Sequence, residues 1–169
     1  LEEGNKGENV ILLHGLMGGV ENFGDMVNYI SKECKVYGLD LRLFEGIKLN
    51  VSVKKLSDYL YSFMNHLNIK QAVLIGNSMG GHIGLIFAKE HPKMVKGLIL
   101  TGSSGLFENS MGDSFPRRGD YNYIKKKTEE VFYNPKVATK ELVDRVFKLA
   151  NNRINLLKLL GLSLIHIWR

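Results

Sequence analysis

Gly76-Asn77-Ser78-Met79-Gly80 lies between two segments of opposite character. Before it runs Gln71-Ala72-Val73-Leu74-Ile75, an apolar stretch that reads as a buried strand. After it runs Gly81-His82-Ile83-Gly84-Leu85-Ile86-Phe87-Ala88-Lys89-Glu90, which reads as a helix rich in small residues. A strand that turns sharply into a helix forces the turn residue into a strained conformation and pushes its side chain out above the sheet. Glycines at 76, 80 and 81 leave room where a Cβ would clash. The helix N-terminus then aims backbone N–H groups and the positive end of its dipole at whatever Ser78 attacks. This is a way to present a weak nucleophile for acyl transfer, and Ser78 is the candidate catalytic residue.

A second run of the same kind lies upstream. Val10-Ile11-Leu12-Leu13 reads as another buried strand, and His14-Gly15-Leu16-Met17-Gly18-Gly19 follows at once. Glycines at 15, 18 and 19 let main chain approach a ligand closely. A phosphate-binding turn at a helix start is the competing reading. The spacing fits neither G-x-G-x-x-G nor a P-loop.

Together these segments resemble the α/β-hydrolase superfamily, over about residues 1 to 161 and in the expected order. The oxyanion-type loop comes first, then a strand ending in Asp40-Leu41-Arg42, then the turn at Ser78, then the strand Val95 to Thr101. The resemblance implies an α/β-hydrolase fold: a doubly wound, mostly parallel sheet with an inserted helical cap. It implies a serine hydrolase in which the backbone N–H groups of Leu16 and Met79 form the oxyanion hole. Gly15 and Asn77 are the implied substrate-binding positions. Gly-Asn-Ser-Met-Gly-Gly and the later Gly102-Ser103-Ser104-Gly105-Leu106 are similar to hydrolases that cleave meta-ring-fission products at a carbon–carbon bond. Two departures separate the chain from that group. Leu16-Met17 interrupt a loop that is usually richer in glycine, and Leu43-Phe44-Glu45-Gly46 stand where many relatives carry Gly-x-Gly-x-Ser. Ester hydrolysis is the default expectation, with carbon–carbon hydrolysis its rival. The residues also admit a non-catalytic ligand-binding member of the fold, or an acyltransferase.

The chain has 169 residues, of which 44% are hydrophobic and 24% charged, as in an ordinary globular domain. Its apolar runs are too short to span a membrane. The single cysteine, Cys34, excludes an intramolecular disulfide and suits a reducing compartment, so a cytoplasmic location is expected. The net charge is +6, but the one basic run, Lys125-Lys126-Lys127, is followed directly by Glu129 and Glu130. That is a solvated helix face, and no aromatic residues interleave with it for base stacking. The expected partner is a small acyl substrate, with no nucleic acid, no membrane, no metal and no organic cofactor. Nothing in the sequence reports the oligomeric state.

Residues 1–101 alternate strand and helix, the first part of the core. Val53, Leu56, Leu60, Phe63, Met64 and Leu67 recur at helical spacing and predict an amphipathic helix. After Thr101 the chain turns loop-like through residue 118, then helical from Asp120, with a break at Asn134-Pro135 and Thr139 as an N-cap. A third helical stretch covers about 153–161. Residues 102–161 are expected to be part of a cap, with Arg117-Arg118 at its entry as a place to meet a carboxylate. Leu162 to Arg169 breaks the pattern and is expected to be a non-native read-through tail. In this fold the triad follows the order Ser, acid, His. Asp113, Asp120 and Asp144 all fall in the expected cap, and His14, His66, His82 and His91 lie on early elements. The acid and the base are therefore expected on strands that this chain lacks.

Overall fold

The structure is a computed structural model that describes residues 1–16, 18–43, 51–106 and 117–164. The first of its two compact units comprises Leu1–Leu43 and Val51–Glu108, the second Phe44–Asn50 and Asn109–Arg169.

The first unit is built on a five-stranded sheet: β1 (Glu2–Glu3), β2 (Asn9–Leu13), β3 (Lys35–Leu39), β4 (Ala72–Asn77) and β5 (Val95–Thr101). The order across the sheet is β1-β3-β2-β4-β5. All neighbours are parallel except β1, which runs antiparallel to β3 with Glu2 opposite Tyr37. The apolar runs of β2 and β4 follow from cover on both faces, since alternate side chains point to opposite sides. Val10, Leu12, Val36 and Ile75 pack with Val27 of α1 (Asp25–Ile30) on one face. On the other, α3 (Met79–Glu90) lies over β2, β4 and β5 and packs against α2 (Val53–His66). Tyr37 meets Phe63 of α2 edge-on there, with ring centroids 6.1 Å apart. Leu60, Met64, Ile83 and Phe87 are fully buried at the helical spacing the sequence shows. Ser52 starts α2 by accepting a hydrogen bond from Lys55 N–H.

The strand order places the site. From β2 the chain crosses to β3 on one side, and later returns to β4 on the other. The C-terminal ends of β2 and β4 therefore flank a reversal of winding, where open α/β sheets form their crevices. Leu13 pairs with Gly76 across these strands, so the segments leaving them, His14 onward and Asn77 onward, emerge side by side.

The second unit contributes α4 (Tyr121–Glu130), α5 (Lys140–Asn151) and α6 (Arg153–Leu164). Asp120 Oδ1 accepts from Asn122 and Tyr123 N–H and starts α4, and Thr139 Oγ1 accepts from Leu142 N–H and starts α5. The helix α6 runs on through Leu164, past the residue at which the sequence suggested a tail. Leu162 is buried and follows Asn155 and Lys158 at helical spacing. Residues 165–169, the rest of that segment, lie outside the described residues.

Candidate active site

Ser78 joins β4 directly to α3 with φ 52° and ψ −119°, a backbone conformation that costs a non-glycine residue on the order of 1–3 kcal/mol. Four backbone hydrogen bonds hold it there. Ser78 N–H donates to Thr101 O at 3.0 Å, and Ser78 O accepts from Gly81, His82 and Ser104 N–H at 3.0, 3.3 and 3.2 Å. Although Ser78 is the N-cap residue of α3, its hydroxyl makes no capping bond. The side chain is half-buried, and among the described residues no hydrogen bond ends on its Oγ.

Gly80 explains how the turn closes. A Cβ on it would lie 2.0 Å from Leu13 O and 2.8 Å from His14 O, both backbone atoms. The first turn of α3 is thus pressed against the end of β2, a distance only glycine allows. The N–H groups of Met79 and Gly80 belong to that first turn, where a helix supplies no acceptor of its own. They form the positive end of the α3 dipole beside Ser78.

The loop after β2 reaches the same place. A Cβ on Gly15 would lie 3.3 Å from Ser78 Cβ and 3.1 Å from Asn77 Oδ1. Gly15 and Leu16 are half-buried, and Met79 is buried. Gly15 O accepts from Gly18 N–H at 3.2 Å. Met17, inside this turn, lies outside the described residues. His14, assigned from sequence only to this loop, is 4% exposed and bridges two chain segments. Its Nδ1 lies 2.8 Å from Gly15 O, and Leu41 N–H donates to its Nε2 at 3.1 Å.

Asn77, a candidate substrate contact, is exposed and turned toward the end of β5. Its Nδ2 donates to both the carbonyl and the hydroxyl of Thr101, each at 3.1 Å. Thr101 O therefore takes the Ser78 amide and the Asn77 carboxamide together. Sequence reasoning missed Thr101. Its position at the end of the strand next to β4 was visible, but its pairing partner was not.

The structure thus gathers Ser78, Met79, Gly15 and Leu16 at the ends of β2 and β4. Several of the other histidines and acids are engaged by other groups. The ring of His91 stacks on Tyr61 at 4.4 Å and lies 4.9 Å from Phe87. The ring of His82 packs where a Cβ on Gly105 would sit 2.6 Å from it. Asp120 caps α4. Asp144 binds the hydroxyl of Tyr121 and the ammonium of Lys140, each at 2.6 Å. The Lys140 ammonium, then the Tyr121 hydroxyl, hold the Asp144 carboxyl below its ordinary value, and the same contact raises the Tyr121 phenol. His166, Asp113 and residues 44–46 lie outside the described residues. Among the described residues no cluster of three or more His, Cys, Asp and Glu could hold a metal ion, and no helix is long and apolar enough to cross a membrane.

Comparison with known proteins gives the same answer as the geometry. The family described as the alpha/beta hydrolase fold matches residues 8–159. The dihydrolipoyllysine-residue acetyltransferase component of the acetoin cleaving system of Pseudomonas putida is 29% identical over 151 residues, 86% of this chain and 41% of that protein. The 2-hydroxy-6-oxo-6-(2'-aminophenyl)hexa-2,4-dienoic acid hydrolase of Metapseudomonas resinovorans is 31% identical over 145 residues, 77% of this chain and 50% of that one. The crystal structure of an α/β-hydrolase enzyme from the metagenome of lagoon sediments at Mar Chica, Morocco, is 32% identical and superposes with a TM-score of 0.72. That similarity covers 99% of this chain and 61% of the other. The chain spans about half the length of the curated relatives it matches. With strand order, sharp turn and family match in agreement, this chain belongs to the α/β-hydrolase fold family.

Proposed function

We propose that the chain carries the nucleophile and the oxyanion hole of a serine hydrolase. The observation that supports this most is the backbone of Ser78: φ 52° at a strand-to-helix turn, with the hydroxyl left out of helix capping. Ser78 Oγ attacks a substrate carbonyl carbon as its proton passes to a base. The resulting tetrahedral oxyanion is held by the N–H groups of Leu16 and Met79. The intermediate collapses and expels the alcohol, which takes the proton held by the base. Water, deprotonated by the same base, then attacks the acyl-serine, and the carboxylic acid leaves as the Ser78 hydroxyl is restored. Each oxyanion donor is worth roughly 3–4 kcal/mol in sites of this kind.

The acid and the base belong, in this reading, to sequence outside the 169 residues. Support comes from Asp120 and Asp144, both engaged by other groups, and from the greater length of the relatives. The helices of the second unit are, in this reading, the beginning of an inserted helical cap. A carboxylic ester is the proposed substrate. Cleavage of a carbon–carbon bond beside a ketone is the second reading, favoured by Gly76 to Gly81 and by the similarity to the dienoic acid hydrolase.

The test is turnover by the full gene product on short-chain esters and on a ring-fission dienoate. The expected result is ester hydrolysis that falls roughly 10⁶-fold in Ser78→Ala, as when a nucleophile is removed from a working triad. Unchanged turnover in Ser78→Ala would overturn the assignment. Dienoate cleavage without ester cleavage would select the second reading.

A further inference from the structure

We propose that His14 is a positioning residue whose neutral, Nδ1-protonated ring fixes the direction of the Leu16 N–H. The inference rests on the reading of that N–H as an oxyanion donor. Leu41 N–H can only donate, so the Nε2 that receives it at 3.1 Å must carry a lone pair. Gly15 O can only accept, so the Nδ1 at 2.8 Å must carry the proton. The two contacts select the same tautomer independently. The carboxylate of Asp40 faces the ring, with Oδ1 3.9 Å from Nε2, and is mostly exposed. That is beyond hydrogen-bond distance, and it leaves Nε2 to Leu41.

The consequence follows from the planarity of the peptide. The Gly15–Leu16 bond is trans, so the Gly15 carbonyl and the Leu16 N–H point in opposite directions. His14 and the Gly18 N–H both hold that carbonyl, and so the Leu16 N–H is set on the other side. To turn the donor away, the peptide would have to break both bonds. The ring also spans two chain ends that are 27 residues apart, the loop after β2 and the segment after β3. A smaller amide could make one of these bonds but not both. His14 takes no proton from Ser78 in this account. It acts through Leu16.

The ring nitrogens of the ¹⁵N-labelled chain are read first by NMR near neutral pH. The expected spectrum is one neutral form protonated at Nδ1; a ring protonated at Nε2, or an average of the two tautomers, overturns the proposal. The N–H dipolar coupling of Leu16 is then compared in two variants. His14→Asn keeps a donor for Gly15 O, and the coupling is expected to be retained. His14→Leu keeps bulk without a donor and leaves Gly15 O only the 3.2 Å bond from Gly18 N–H, and the coupling is expected to fall. Equal loss in both variants, or an unchanged coupling in His14→Leu, reduces the residue to packing and overturns the proposal. If His14→Leu does not fold, the ring spectrum decides. None of these readings requires Ser78 to react, so a failure of the nucleophile assignment would show separately.

Discussion

Ser78 sits in its strained backbone because its neighbours over-determine it. Ser78→Gly should therefore abolish reactivity and raise the melting temperature, since the strain of about 1–3 kcal/mol exceeds the glycine entropy cost of about 0.5–1 kcal/mol. Differential scanning calorimetry decides this, and a lower melting temperature would mean that the turn is not strained. Asn77 and Thr101 are the next layer. Thr101→Val removes the hydroxyl that receives Asn77 Nδ2 but leaves the carbonyl that holds Ser78 N–H. It should cost about 0.5–1.5 kcal/mol, the usual net worth of one hydrogen bond, here that to Asn77. The second contact of the hydroxyl, to Gly76 O at 3.5 Å, lies at the limit of hydrogen bonding. Thr101→Ser should restore the loss in denaturant titrations. Asn77→Ala removes both bonds and should cost more than Thr101→Val. Ser78 and its glycines were legible in the sequence because the motif is local. The work of His14 and Thr101 was not, because each has a partner far along the chain, 27 residues away for His14 and 24 for Thr101.

At the level of elements, α3 depends on its approach to β2. Gly80→Ala drives a methyl group into two backbone carbonyls that no rotamer can relieve. A loss of at least about 1–3 kcal/mol is expected in urea titrations, the cost of overpacking where nothing can yield. In the second unit, α4 and α5 share the Tyr121–Asp144–Lys140 cluster. The Asp144 carboxyl is held below its ordinary value of 3.8. Its stabilising contribution is present above that value and is lost as pH falls through the lower, folded one. Tyr121→Phe should move the Asp144 midpoint upward in a carboxyl-carbon NMR titration, whereas an unmoved midpoint would assign the shift to Lys140 alone. The periodic segments were the most legible. The helical spacing from residue 53 to 67 matches Val53–His66, and Thr139 caps α5 as its sequence position implied. The short helix Asp25–Ile30 was not legible, since it buries only Val27.

For the whole molecule, the strand order links sequence to site. Four parallel strands and a reversal of winding at β2 bring two loops together that are more than sixty residues apart in the chain. Among the described residues β5 pairs only with β4, and Ile99 on it is half exposed. Its outer edge offers a template for further strands, and the relatives are long enough to supply them. This is the part of the architecture where the proposed acid and base would be brought to Ser78. The most direct measurement is phosphonylation by a fluorophosphonate, located by peptide mass spectrometry in the full gene product and in the 169-residue chain. A single adduct on Ser78 is expected in the full product, absent from Ser78→Ala. Labelling should be slower by about 10³-fold or more in the 169-residue chain, where the proposed base is missing. An adduct on another residue, or equal rates in the two proteins, would contradict the assignment of Ser78 as a nucleophile that works with a base outside this chain.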